Sequence, residues 1–377
     1  MALSKIDVAN MVENEMPQAN LADNINFRNI IINGDMSIAQ RGTSVTGVNT
    51  NNGFPTLDRF QIGFTSSGTY DMSQSTDVPS GKGFSSSLKI KCASTDTSIA
   101  SGDEFIIQQR IEAQNLQYLK FGTSNAENLT LSFYAKAVNK TGTYCVHLQK
   151  NDSTSAYFYS EFSVTTSWQK FSISIPANSV VQSSGGAISN DNGIGIVVMF
   201  FLMNGSSTQG TDAKDQWSTT NHRTSSNQVN FLDSTSNEFY ITGVQLEVGT
   251  TASDFEFLSV DVNFNRCKRY YQQVGDTPDG RDESKQGITG QMWTNAQLLP
   301  TYVLSPSMRT APSLSTSTSS LGTVYTNGVG LTINNVAANT SSRTHLQPAL
   351  STASAATKGY AGHVDATGGY LLISAEL

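Results

Sequence analysis

NEFYITGVQLEVG, residues 237–249, decides the fold class of this chain. Phe239 and Ile241 share one phase, with Tyr240 and Thr242 on the other. After Gly243 the apolar positions become Val244, Leu246 and Val248. Alternating β-branched and aromatic residues ended by Gly249 specify a strand. It is apolar on one phase and mixed on the other, as in one strand of a two-layer sandwich. TTASDFE, residues 250–256, is a loop. In SVDVNFNRCKRYYQ, residues 259–272, the period changes: Val260, Phe264, Cys267 and Tyr271 fall at i, i+4, i+7 and i+11. That spacing is one face of a helix, and Ser259 stands where an N-cap belongs.

Upstream, short strand patterns repeat. NIIINGDMSIAQRG (29–42) opens with a strand over 29–38, interrupted by the turn Asn33-Gly34-Asp35. LDRFQIGF (57–64), SSLKIKC (86–92) and EFIIQQR (104–110) follow, then a helical turn over 111–119. LTLSFYAKAV (129–138) and GTYCVHLQK (142–150) read as a hairpin around Asn139-Lys140-Thr141. IVVMFFLM (196–203) has the uninterrupted hydrophobicity of a strand covered on both faces. About ten strands with no βαβ alternation predict an all-β jelly-roll sandwich.

The domain division follows. Residues 1–26 form a short N-terminal arm stopped by Pro17, with Ile6, Val8, Val12 and Met16 as its candidate contacts. A piece so short needs a partner to order it. Residues 27–257 are the jelly roll and 258–273 a short helix. Residues 274–377 form a smaller β-rich domain, polar enough to suggest strands completed by another subunit.

The chain has 377 residues, 14% of them charged, and a net charge of −7 with no basic block. Clustered Lys and Arg are what phosphate binding needs, so nucleic acid is not an expected partner. No run of about 18 apolar residues proposes membrane insertion. Cys92, Cys145 and Cys267 are odd in number and far apart, as buried thiols rather than a disulfide framework.

Catalytic and metal signatures are not expected. His147, His222, His345 and His363 lie at no metal-ligand spacing. No cofactor motif is present, neither phosphate loop nor nucleophile elbow. Carboxylates close in sequence are Asp103 and Glu104, Asp254 and Glu256, and the group Asp276, Asp279, Asp282 and Glu283. Glycoside hydrolysis would need two of these facing one bond; adjacent acids in turns are ordinarily solvated or capping. Sugar rings stack on exposed aromatics. Trp217, in the polar loop 204–227 with Asp212, Asp215 and His222, is the first candidate platform. Tyr157 and Tyr159 are the second, and Trp168, at a strand start, reads as core.

Three pieces carry a family resemblance: 29–42, TLDRF at 56–60, and 241–271. In this order they resemble the sandwich domain of many bacteriophage virion surface and tail-fibre proteins, those of marine phages above all. The segment 306–314, PSMRTAPSL, resembles what commonly follows the RYY helix there. The body also looks like a carbohydrate-binding-module jelly roll, with Asn33-Gly34-Asp35, Trp168 and Pro176 at matching positions. Thr242-Gly243 stands where those modules often carry an Asp pair for Ca²⁺, so the metal is not carried over. The resemblance implies a non-enzymatic virion protein, a homotrimeric tail fibre or fibre tip. It would be made in the host cytoplasm, join other virion proteins through the arm, and bind a host surface glycan or receptor. A capsid decoration protein and a glycan depolymerase are the alternatives.

Overall fold

The computed structural model describes residues 27–51, 53–210, 214–275, 288–317, 321–352, 356–366 and 369–377. The arm contacts Ile6, Val8, Val12 and Met16, together with Asp212 and the acids at 276–283, lie outside them. The chain runs through β1 (Ser44–Val48), β2 (Gln61–Thr65), β3 (Thr69–Ser75), β4 (Ser87–Ser94) and β5 (Glu104–Glu112). After a 3-10 helix over Ala113–Leu119 come β6 (Leu129–Val138), β7 (Gly142–Lys150), β8 (Ala156–Val164) and β9 (Gln169–Ile175). A helical turn, α1 (Ser179–Gln182), leads to β10 (Ile194–Asn204). Two minimal strands, β11 (Gln209–Gly210) and β12 (Thr224–Ser225), precede β13 (Glu238–Val248).

These strands make a two-layer jelly roll. One sheet has the order β1-β3-β4-β13-β6-β9 and the other β2-β5-β10-β7-β8. One continuous core fills the space between, rich in rings: Phe64, Phe105, Phe133, Phe158, Phe200 and Phe239 are all buried. β13 is central to its sheet, and its change of phase has a structural cause. Its register against β6 shifts between Thr242 and Gln245, a bulge that lets Phe239 and Ile241, then Val244 and Leu246, all face the core. Gly243 sits there at φ +64°, with Phe84 where a Cβ would go, so only glycine fits.

The expected hairpin of 129–138 with 142–150 does not form. β6 pairs with β13 and β9, whereas β7 pairs with β10 and β8. The turn at Asn139, left-handed at φ 65°, carries the chain from one sheet to the other. The sandwich needs such crossings, and alternation alone cannot distinguish them from a hairpin.

The expected strand at 29–38 is also absent. This segment is irregular, yet Ile31, Asn33, Met36 and Ile38 are buried. Side chains meet its backbone instead of a ladder. Asn29 accepts from Ile31 N and Leu246 N and donates to the Val244 carbonyl. Gln109 accepts from Ile32 N and donates to its carbonyl, 2.8 and 2.9 Å. Asn33 Nδ2 donates to the carbonyls of Ile38 and Asp58. Gly34 lies so close to β13 that a Cβ would stand 2.1 Å from the Val244 oxygen.

Helix α2 (Val260–Lys268) is shorter than the 258–273 expected, and Val260 is exposed. Asn263 and Cys267 are its buried residues, and Ser259 makes no side-chain capping bond. Tyr271 already belongs to the next strand, so the RYY sequence is the hinge from helix to sheet. The second domain follows as β14 (Tyr271–Gly275), β15 (Ile288–Thr294), β16 (Gln297–Pro300), β17 (Tyr302–Val303) and β18 (Ser313–Thr316). It ends with β19 (Thr323–Thr326), β20 (Val329–Ser341), β21 (His345–Thr352), β22 (Ala361–Asp365) and β23 (Tyr370–Ser374).

Strands β16-β15-β22-β19-β20-β21 pair in that order, and β21 returns to β16. The sheet closes on itself as a small barrel, which leaves no unpaired edge in the ring. Among the described residues, these ring strands find pairing partners within the chain. Beside it, β14-β23-β18 form a three-stranded sheet.

The two domains meet at a charged junction built from the sequence pieces 29–42, 56–60 and 264–271. Arg59 and Arg41 both pair with Glu376, while their guanidiniums lie 3.5 Å from the ring centroids of Tyr270 and Tyr271. Gln40 Nε2 donates to the Tyr271 carbonyl at 3.0 Å and to Asp58. Burial pushes the Asp58 carboxyl up, against the opposing pull of Arg41 and Gln40. Arg309 spans the seam, donating to Asn192 O at 2.7 Å and Ala375 O at 2.9 Å.

Candidate functional site

Two surfaces bear on ligand binding. The first is the outer face of the five-stranded sheet. On β10, Val198, Phe200 and Leu202 enter the sandwich core, and Val197, Met199 and Phe201 face the other way. With Ile106 they form a separate buried apolar strip. The described residues of segment 214–230 fold over part of it. Gln228 donates to the Phe201 carbonyl at 3.0 Å and accepts from Cys145 N at 2.8 Å. Ser218 exchanges two backbone bonds with Tyr157 on the edge strand β8, which protects that edge.

This accounts for the candidates chosen from sequence. Trp217 is no exposed platform: it is 2% exposed and anchors its loop in the core, against Phe121 and Phe158 at 5.8 and 5.9 Å. A large apolar ring among Asp, Ser and Thr is driven inward. Tyr159 is likewise buried, and its carbonyl accepts from Asp215 N at 2.8 Å. Tyr157 is half-buried, with its ring centroid 6.0 Å from that of His147. Asp215 is exposed in a left-handed turn at φ 65°, and His222 is half-buried against Gly210. Tyr157, Tyr159 and the described part of the loop thus meet, over the sheet.

What the loop leaves open is a groove of about 260 Å³. Ile106, Val197 and Met199 form its floor; Gln108, Arg110, Gln149 and Asn151 line it. Arg223 and Glu104 close one side with a 2.7 Å ion pair. Among the other sequence-adjacent acids that are described, Asp103 and Glu256 are occupied too. Asp103 Oδ2 accepts from Ala100 N, and Glu256 accepts from the backbone of Arg28 and Asn29. Trp168 is half-buried rather than core, with Nε1 donating to Asp77 at 3.0 Å.

The second surface is on the barrel. Along β15, Ile288 and Met292 point inward and Thr289, Gln291 and Trp293 outward. Trp293 is 59% exposed. Beside it lies a cavity of about 400 Å³ lined by Gln291, Trp293, Gln297, Leu299, Asn339 and Gln347. Antiparallel pairing sets this up, since Gln291 stands opposite Leu299 and Thr294 opposite Gln297. The amides are held: Gln291 Nε2 donates to the Gly359 carbonyl, and Asn339 Nδ2 to Gln347 Oε1, at 3.1 and 2.9 Å. Lys358 Nζ lies 5.7 Å from the Trp293 ring centroid. Elsewhere on the barrel exterior, Tyr325 and His363 are stacked at 5.4 Å.

Trp293 did not stand out in the sequence. Its signal was a single Trp in the outward phase of a short strand, beside Gln291 and Gln297. The closure that gathers Asn339 and Gln347 to it is non-local.

No protein-family model and no curated protein matches the chain. Several solved structures are distantly similar. A family 11 carbohydrate-binding module of a cellulosomal cellulase from Clostridium thermocellum shares 10% identity over 55% of this chain and 98% of its own, with a TM-score of 0.28. A xylan-binding domain from Paenibacillus barcinonensis shares 11% over 50% and 88%, with a TM-score of 0.24. The enzymatically active domain of tailspike protein 4 from bacteriophage CBA120 shares 12% over 59% of this chain and 22% of its own, with a TM-score of 0.29. Likenesses this distant assign no ligand to the chain; the jelly roll rests on its own two sheets.

Proposed function

We propose that this chain is a non-catalytic glycan-binding protein of a bacteriophage particle, a tail fibre or fibre tip whose barrel is the recognising part. The observation that carries the binding reading is Trp293, exposed beside a cradle of four amide side chains with an apolar Leu299 floor. A pyranose offers one apolar face and a rim of hydroxyls. An exposed indole takes the face, and Gln and Asn, each both donor and acceptor, take the rim. Among the described residues the cradle's lining includes no carboxylate, which suits binding rather than hydrolysis. The phage setting rests on the sequence pieces at 29–42, 56–60 and 241–271. Trimeric assembly belongs to the proposal as well, because several weak sites on one particle multiply through avidity.

The test is retention of the full chain on an array of neutral polysaccharides, wild type against Trp293→Ala. Loss of this exposed aromatic platform is expected to weaken retention about tenfold or more, with the unfolding midpoint unchanged. Equal retention by both proteins, or no retention by the wild type, would overturn the reading. Labelling intact particles with an antibody to this chain tests the fibre placement, since label over the head would recast it as a capsid decoration protein.

A further inference from the structure

A third cavity, of about 370 Å³, opens where the first domain meets helix α2. Among the described residues its lining includes three guanidiniums, Arg110, Arg266 and Arg269, and no carboxylate. Two exposed aromatics stand on it, Phe27 at 58% and Tyr118 at 48% exposure. The amide of Asn115, exposed on the 3-10 helix, is a further wall.

The arginines are not equally committed. Arg269 gives Nε and Nη2 to Glu112 at 2.8 and 2.7 Å, a fork-on-fork pair. Arg110 gives Nη1 to the Leu377 carbonyl at 2.9 Å. Among the described residues, Arg266 makes one hydrogen bond, from Nη2 to the Asn29 carbonyl at 3.2 Å, and no ion pair. Burial pushes its guanidinium down, while Glu256 and the nearby Tyr270 and Tyr118 pull the other way. Three cations therefore line one cavity, and among the described residues Glu112 is the one side-chain carboxylate hydrogen-bonded to them. In a chain of net charge −7, this concentration of like charge is stabilised by an incoming anion.

We propose that this cleft binds the oxyanion of an acidic saccharide, a uronate or a sulfated sugar, with Arg266 as its principal ligand. The carboxylate or sulfate sits between Arg266 and Arg110, and the sugar ring lies against Tyr118 and Phe27. Cavities of a few hundred Å³ hold one or two sugar rings. The saccharide half of the proposal rests on the glycan reading above; the oxyanion half does not. The site is separate from Trp293, so the two can fail independently.

Calorimetric titration of the full chain at low salt tests it. The probes are digalacturonate, its dimethyl ester (close in shape and uncharged) and inorganic sulfate. The variants are Arg266→Gln and Asn115→Asp, the latter an exposed position that adds a negative charge at the cleft without touching the core. The expected result is digalacturonate binding, weakened about tenfold in each variant, weakened by salt, absent for the ester and unchanged in Trp293→Ala. Sulfate competing at equal affinity would support the oxyanion site and remove the saccharide. No binding of digalacturonate or sulfate at millimolar concentration would overturn the proposal, as would equal binding by acid and ester or indifference to both variants. Loss of binding in Trp293→Ala alone would move the saccharide to the barrel and refute the cleft.

Discussion

In the sandwich, Phe133 packs against Phe162, Phe171 and Phe200, with centroids 5.0 to 5.3 Å apart. In the barrel, the core is Ile288, Met292, Leu298, Val324, Ile333, Leu350 and Val364, and among the described residues its buried members include no ring. Trp293, Tyr325 and Tyr360 are outside and exposed, and Tyr302 on β17 packs against the core only in part. The difference is geometric. Two sheets about 10 Å apart leave a layer that rings fill, whereas a six-stranded closed barrel has an interior that fits only aliphatic side chains. Rings such as Trp293 are therefore turned outward, where a ligand can meet them.

The largest effect breaks this contrast directly. Phe133→Ala should cost about 3–5 kcal/mol, whereas Trp293→Ala should stay within about 0.5 kcal/mol. Urea unfolding followed by far-UV circular dichroism measures both. A comparable loss in Trp293→Ala would mean that the indole is structural, and the barrel would lose its claim to be the recognising part.

The next effect lies at the seam. Glu112, at the end of β5, is fully buried and bidentate to Arg269, just past α2. Burial pushes its carboxyl up, but the bonds and charge of Arg269, with Tyr270 and Gln114, outweigh this and hold it below the usual range. Removing one partner of such a pair leaves a guanidinium uncompensated, so Glu112→Gln should cost about 2–4 kcal/mol at pH 7. A depressed carboxyl contributes stability that is complete above its unfolded value and vanishes as pH falls through its folded one. The penalty should therefore shrink toward zero in acid, as urea midpoints at pH 7 and pH 3 would show. A penalty that persists undiminished at pH 3 would assign the loss to packing rather than charge.

Much of the fold was legible because it is local. Alternation marks most strands of the sandwich, and the phase change at Gly243 was visible before its bulge was. Pairing was not legible: β6 and β7 look like a hairpin yet lie in opposite sheets. Nor was segment 29–38 recognisable as irregular, because its run of Ile mimics a strand while Asn29, Asn33 and Gln109 do a ladder's work. The site was least legible. Trp217 was chosen because its neighbours in sequence are polar, but exposure is decided by neighbours in space, and Phe121 and Phe158 are distant along the chain. Trp293 needed the barrel's closure, and the arginine cleft needed β5 and α2 brought together.

The smallest effect asks whether the covered part of the sandwich's outer face behaves as interior. His147 is wholly buried on β7, its centroid 6.0 Å from Tyr157 and 6.3 Å from Phe201. Its ring nitrogens lack a well-formed hydrogen bond among the described residues, although the His222 backbone acts on it. Burial, reinforced by the charge of Arg223, holds the imidazole down at about 3 against an ordinary 6.5. It therefore stays neutral in the native protein, while the unfolded chain takes up a proton below pH 6.5. The unfolded state is favoured by that proton, so stability falls as pH drops from 6.5 toward 3, by up to about 1.4 kcal/mol per unit once well below 6.5. His147→Leu should flatten this share of the slope between pH 6 and 5, and urea midpoints at the two values would show it. An unchanged slope would mean that the imidazole is protonated in place, so that segment 214–230 admits water and the face beneath it is a surface after all.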